Sequence, residues 1–188
     1  ALPIFLKEYP VTVIHNGIDT TIFKPRLFEA QELRKKFSLE GKQVLLGVAS
    51  IWDKRKGLDD LLELSVQLKS YQQLVLIGLS KEQLTKLPKE IIGLTTTDSV
   101  EELSAWYTLA DVFINPTTQD NYPTTNLEAI ACGTPVVSYP TGGSIESTHM
   151  YGIVCSDRTV ASMLESLREV SHCKRNPNFN LSKEYFVE

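Results

Sequence analysis

The stretch Asp120-Asn121-Tyr122-Pro123-Thr124-Thr125-Asn126-Leu127-Glu128-Ala129-Ile130-Ala131-Cys132-Gly133-Thr134-Pro135-Val136-Val137-Ser138 reads as loop, helix and buried strand in immediate succession. Asp120 and Asn121 are natural N-cap types, and Pro123 suits a first helical turn. Leu127, Ile130 and Ala131 follow helical spacing and should face a sheet. Gly133 suits the left-handed position that ends a helix, Pro135 blocks its continuation, and Val136-Val137 opens a strand. Two carboxylates, Asp120 and Glu128, lie eight residues apart on either side of the helix start.

Outward from this unit the pattern repeats. Val11–His15, Val44–Ala49, Leu74–Gly78, Val112–Asn115, Pro135–Ser138 and Gly152–Cys155 read as strands, with a weaker one near Ile91–Leu94. Most are nearly continuous apolar runs, as strands buried on both faces require. Ala30–Phe37, Leu58–Leu68, Lys81–Leu87, Val100–Leu109, Thr124–Ala131 and Val160–Val170 read as helices. Leu58, Leu61, Leu62, Leu64, Val66 and Leu68 form one broad apolar face, opposite Asp59, Asp60 and Lys69. Strand–helix alternation predicts an α/β, Rossmann-like three-layer domain: a central parallel sheet flanked by helices, one domain over residues 1–188. In such sheets ligands bind beyond the carboxyl ends of the strands.

Composition narrows the function classes. The 188 residues are 42% hydrophobic and 22% charged, ordinary for a globular domain. A net charge of −4 argues against general nucleic-acid binding. No apolar run is long enough to span a bilayer, and no secretory signal is read, although the sequence starts at Ala1. Cys132, Cys155 and Cys173 are scattered without metal-ligand spacing, which reads as buried reduced thiols in a cytoplasmic setting. His15, His149 and His172 form no triad or metal pattern, and Trp52 is expected to pack at the sheet rim. No Gly-x4-Gly-Lys-Ser/Thr or strand-borne Gly-x-Gly-x-x-Gly occurs, which disfavours a P-loop ATPase and a nicotinamide dehydrogenase.

Three clusters carry candidate chemistry. Lys54-Arg55-Lys56-Gly57 follows a strand and precedes a helix. It is either a solvated basic turn or a diphosphate site, with Arg55 as a fork and Lys56 as a point charge. Gly142-Gly143 is either an ordinary turn or an anion nest of exposed N–H groups. Asp120 is either a helix cap or a sugar contact, and Glu128 either pairs with a lysine or binds a diol. Acids beside a helix N-terminus suit a nucleotide-sugar better than a bare phosphate. Base choice would depend on the loops after Gly78 and near Thr95–Asp98.

Together these segments resemble the C-terminal, nucleotide-sugar-binding half of family-4 glycosyltransferases of the GT-B fold, nearest to bacterial polysaccharide-type members. The resemblance rests on Val13-Ile14-His15-Asn16-Gly17-Ile18-Asp19 with Phe23 and Pro25, Arg55-Lys56-Gly57, and Glu102-Leu103 through Tyr107. It continues through Ala110-Asp111-Val112, Pro116, Asp120 to Val137, Gly142-Gly143 and Glu146. It implies that Glu128, the second acid of a Glu-x7-Glu motif, holds the nucleotide ribose, and that Asp120, the first, lies against the donor sugar. It implies that Lys56 contacts the diphosphate, with Arg55 assisting, and that groups around Tyr122, Pro123 and Thr124 face sugar and phosphates.

The expected activity is transfer of a sugar from a nucleoside diphosphate sugar, with retention and without a metal or other cofactor. The acceptor, a glycan or lipid-linked sugar, would bind an N-terminal domain of similar size, which this chain does not contain. That places the full enzyme in the cytoplasm, with possible peripheral association at the inner face of the membrane. Two departures stand out: Asp120 replaces the usual Glu, and the usual Gly-Arg-Leu is missing near Gly47–Ser50. They motivate an alternative to the transferase, a nucleotide-binding module without catalysis; a nucleotide-sugar epimerase of related fold is a third reading, which the whole motif series disfavours.

Overall fold

The computed structural model describes residues 9–10 and 12–170. Among the described residues, six strands form one sheet: β1 (Gln43–Val48), β2 (Gln72–Ile77), β3 (Ile92–Leu94), β4 (Val112–Asn115), β5 (Val136–Ser138) and β6 (Gly152–Val154). Seven α-helices accompany them among the described residues: α1 (Leu27–Lys36), α2 (Leu58–Gln67), α3 (Lys81–Lys86), α4 (Val100–Leu109), α5 (Thr124–Ala131), α6 (Ser144–Met150) and α7 (Val160–Val170). All neighbouring strands are parallel, in the order β3-β2-β1-β4-β5-β6. The chain builds outward from β1 to one edge, then returns to lay β4 on the other side of β1. The carboxyl ends of β1 and β4 therefore flank the point where strand order reverses, the place where such sheets hold ligands.

The alternation of each strand divides the core into two layers. Val44, Leu46, Val75, Ile77, Phe113 and Val136 face one side and meet Leu33, Trp106, Leu127 and Ile130 from α1, α4 and α5. Leu45, Leu74, Leu76, Val112, Ile114 and Val137 face the other and meet Leu61, Leu64, Met163 and Leu167 from α2 and α7. Each such leucine or isoleucine contributes about 1.5–3 kcal/mol by leaving water. Burial on both faces is why these strands read as unbroken apolar runs.

The sequence expectations differ from the structure in four places. The run Val11–His15 is not a strand over its described residues 12–15, and Val13 and Ile14 stay exposed. β-branched residues favour strands where a sheet neighbour half-buries them, and none of the six described strands takes Val13 or Ile14 as a partner. Helix α1 starts three residues earlier than expected, at Leu27. Helix α5 is not capped by Asp120 or Asn121: its N-cap is Pro123, which has no side-chain acceptor to offer. Helix α6 was not expected at all. Its fully buried residues are Ser144, Ser147 and Thr148, so its buried face has helical spacing carried by hydroxyls. Gly133 does adopt the left-handed conformation, with φ 79°.

A polar knot explains that face. Asn126, fully buried on α5, donates to Ser144 Oγ (3.1 Å), Ser147 Oγ (2.9 Å) and Thr148 Oγ1 (3.2 Å), and accepts from Asn115 Nδ2 (2.8 Å) at the end of β4. Thr148 Oγ1 also bonds Ser138 Oγ on β5 at 2.7 Å. Asn126 thus ties two helices to two strands. Replacing it with Ala strands several buried donors and acceptors, so Asn126→Ala is expected to cost about 3 kcal/mol, read as a lower urea midpoint at unchanged m-value.

Candidate functional site

A cleft of about 540 Å³ opens at the carboxyl ends of the strands. Val48 and Ala49 line it at the end of β1, Ile77 and Gly78 at the end of β2, and Thr95, Thr96 and Thr97 follow β3. The loop after β4 and the first turn of α5 complete it with Asp120, Tyr122, Pro123, Thr124, Thr125 and Glu128. Its size suits a drug- or nucleotide-sized ligand. Of the segments Thr95–Asp98 and the loop after Gly78, on which base choice is expected to depend, Thr95, Thr96 and Thr97 line the cleft, while Asp98, Leu79 and Ser80 do not.

Lys56 reaches the cleft because the chain after β1 turns sharply. Asp53 accepts from the backbone N–H of Arg55 (2.9 Å) and Lys56 (3.1 Å), capping a 3₁₀ turn over Lys54–Lys56. Lys56 Nζ then lies 2.8 Å from Asp120 Oδ2, a half-buried ion pair bridging the loops after β1 and β4. Asp120 is therefore an ion-pair partner and not a helix cap. Arg55 points elsewhere: its guanidinium grips Asp53 at 2.8–2.9 Å, which holds the Asp53 carboxyl below its usual range. It lines an adjoining depression with Asn16, Lys56 and Gln119 to Tyr122, and is itself largely exposed.

Glu128 stands one turn inside α5 and half-buried. Its neighbour is not a lysine but Tyr107 on α4, whose hydroxyl donates to Glu128 Oε2 at 2.8 Å. Burial raises the carboxyl above the ordinary glutamate range, and hydrogen bonds from Tyr107 and Thr124 pull it back. Tyr107 was part of a sequence motif, but nothing in its spacing connected it to Glu128, because the contact joins two helices.

The two glycines act on the loop. The N–H of Gly143 donates to the Asn121 carbonyl at 2.9 Å, so this amide is committed within the protein and not held out as half of an anion nest. A Cβ at Gly142 would collide with the Asp120 carbonyl, and one at Gly143 with the Asn121 carbonyl. Only glycines let α6 come this close to the 120–122 loop. Tyr122, in that loop, is buried; its ring stacks on His15 (centroids 4.4 Å apart, 14°), and its carbonyl accepts from Asn16 Nδ2 at 3.1 Å. His15 Nε2 also meets Glu146 Oε2 at 3.0 Å.

Other expected roles are structural. Trp52 is buried and donates to the Ile77 carbonyl at 2.9 Å. Cys132 and Cys155 are buried free thiols, and burial pushes Cys132 up to about 11. Cys173 and His172 lie outside the described residues. Among the described residues, no three His, Cys, Asp or Glu side chains gather as metal ligands do, and no helix is long and apolar enough to cross a membrane.

A parallel strand order that reverses beside a cleft, with an ion pair and a half-buried acid one turn inside α5 lining it, is the arrangement of a Rossmann-like domain. Residues 42–172 match the family described as Glycosyl transferases group 1, and the chain belongs to that family. It is 29% identical to D-inositol 3-phosphate glycosyltransferase 1 of Catenulispora acidiphila, over 71% of this chain and 36% of that protein. It is 26% identical to the alpha-galactosylglucosyldiacylglycerol synthase of Streptococcus pneumoniae, over 95% of this chain and 52% of that one. The chain thus spans about half or less of the length of these relatives. Its fold matches Anabaena HepE in complex with UDP-glucose, with a TM-score of 0.68 at 18% identity, over 88% of this chain and 51% of that one. It likewise matches the sucrose-phosphate synthase of Thermosynechococcus elongatus, with a TM-score of 0.73 at 21% identity, over 89% of this chain and 46% of that one.

The close approach at Gly143 gives a direct check on this geometry. Gly143→Ala is expected to push the 120–122 loop off α6 and lower the melting temperature by several degrees, read by calorimetry. An unchanged melting temperature would contradict the tight packing described.

Proposed function

We propose that this chain is the donor-binding half of a retaining family-4 glycosyltransferase of bacterial polysaccharide type. In this reading it takes a nucleoside diphosphate sugar and transfers the sugar to a glycan or lipid-linked acceptor held by an N-terminal domain, in the cytoplasm. The observation that carries the reading is the gathering, in one cleft, of Lys56 paired to Asp120, the first turn of α5 and the half-buried Glu128. The family membership supports it, as do relatives named as glycosyltransferases and a structural neighbour bound to UDP-glucose.

The chemistry follows from charge. Breaking the bond from the anomeric carbon to phosphate leaves negative charge on the diphosphate and positive charge on the sugar. Lys56 has three N–H donors, so it can keep Asp120 and still bind a phosphate oxygen. The N–H groups of the first turn of α5 and the helix dipole add positive potential at the same place. Removing one such preorganised donor costs about 2.7–4 kcal/mol in a barrier. Asp120, held beside Lys56, is the acid poised near the sugar. Glu128, deeper along α5, offers acceptor oxygens to the ribose diol. Arg55 assists only by letting go of Asp53 and turning into the cleft. The Gly142-Gly143 turn contributes by placing the 120–122 loop. No metal is assigned a part.

Titration of UDP, GDP and ADP into the 188-residue chain by calorimetry tests the reading; binding of at least one below millimolar concentration is expected, and no binding of any would end it. Lys56→Ala is expected to weaken the bound diphosphate about tenfold while leaving nucleoside monophosphate binding less affected. Affinity should also depend on pH. Glu128 accepts from both diol hydroxyls only when ionised, and its carboxyl titrates above the ordinary range. Affinity is therefore full at neutral pH and lost as pH falls through that raised value, earlier than an exposed glutamate would dictate. Glu128→Gln is expected to bind weakly and to flatten this profile.

A further inference from the structure

The contact between Tyr107 and Glu128 belongs to no expectation drawn from sequence spacing, and its construction is unusual for a core tyrosine. Tyr107 is fully buried in the last turn of α4. Its ring is held edge-on by Phe113 of β4 (centroids 5.4 Å apart, 71°) and Phe23 (6.3 Å, 70°). Its backbone carbonyl accepts from Thr134 Oγ1 at 2.6 Å, just beyond α5. Ring and backbone are thus fixed independently, and the hydroxyl is left one place to go: Glu128 Oε2, at 2.8 Å. From the far side, Glu128 lines the ligand cleft with Thr124. The carboxylate is gripped from the core and presented to the cleft.

We propose that Tyr107 is a positioning residue for nucleotide recognition: by holding one oxygen of Glu128 from behind, it fixes the carboxylate so that its remaining acceptor capacity meets a ribose diol and discriminates ribonucleotides from deoxyribonucleotides. The proposal rests on the donor-binding reading of this cleft. A carboxylate has about four acceptor positions. With one filled by a phenol that cannot move, the geometry of the others is set before ligand arrives, and no rotamer entropy is lost on binding. Burial and the negative charge of Glu128 push the Tyr107 hydroxyl well above the phenol range, so it stays protonated and acts only as donor toward the acid. The bond also favours the ionised form of Glu128, against the burial that opposes it. Facing Glu128 from its surroundings are Tyr107, Thr124 and Cys132, the last kept neutral by its own burial.

The test compares UDP, GDP and ADP with their 2′-deoxy counterparts, by calorimetry between pH 5 and 8, on the 188-residue chain and on Tyr107→Phe. The unaltered chain should prefer the ribonucleotide by about tenfold or more, the worth of a charge-assisted hydrogen bond. Tyr107→Phe should lose most of that preference while keeping the bulk of its deoxynucleotide affinity, and its pH midpoint for binding should move up. A purely structural tyrosine would lower the melting temperature and leave both the ratio and the midpoint alone; that result overturns the proposal and leaves the donor reading intact. Failure of the unaltered chain to bind any nucleoside diphosphate removes the donor reading itself, and the proposal with it. If Tyr107→Phe does not fold, site-specific 3-fluorotyrosine at position 107 makes the phenol a stronger donor in nearly the same volume. It should move the pH midpoint down, and an unmoved midpoint overturns the proposal.

Discussion

Parallel strands cannot be joined by tight turns, and this constraint organises everything else in the molecule. Each crossover must carry the chain back along a face of the sheet, and the helices that do so bury both faces. All six carboxyl ends then fall on one edge. Loops leaving that edge are free of sheet hydrogen bonding and can take whatever conformation a ligand requires. Because the strand order reverses between β1 and β4, their loops diverge and leave a cleft between them. Lys56 and Asp120, distant in sequence, come within 2.8 Å of each other across that divergence.

Stability and site geometry meet in α5. Its apolar residues Leu127 and Ile130 face the sheet, and its one buried amide, Asn126, anchors α6 and β4. The following turn position, Glu128, faces the cleft from a half-buried place and is held by α4 through Tyr107. A polar group is costly in such surroundings unless partnered, and each of these is partnered by a side chain on a different element. The helix therefore cannot rotate or slide without breaking bonds on several sides. That rigidity fixes where the Glu128 carboxylate stands in the cleft.

The basic turn after β1 shows how local bonding decides which charge serves the cleft. Asp53 satisfies the backbone of the turn and occupies the guanidinium of Arg55. Lys56, next in line, is left to face Asp120. Adjacent cations of the same sign thus end in different environments. The short side chain at Asp120 is the length that meets Lys56 here.

The sequence by itself determined the layers, the sheet and the boundaries of α5, because each rests on short-range regularities: unbroken apolar runs, 3.6-residue spacing, and Gly133 with Pro135 as punctuation. It also marked Lys56, Asp120 and Glu128, whose residue types are costly to place beside a core without a purpose. It misread Val11–His15, where propensity had no neighbour among the described strands to act on, and it passed over α6, whose buried face is hydroxyl and not hydrocarbon. Only the tertiary structure decided who partners whom. Asp120 against Lys56, Tyr107 against Glu128, Gly143 against Asn121 and Arg55 against Asp53 are settled by distances of about 3 Å. Hydrogen bonds and ion pairs are short-ranged and directional, so their pairing follows the packing of elements and leaves little trace in sequence spacing.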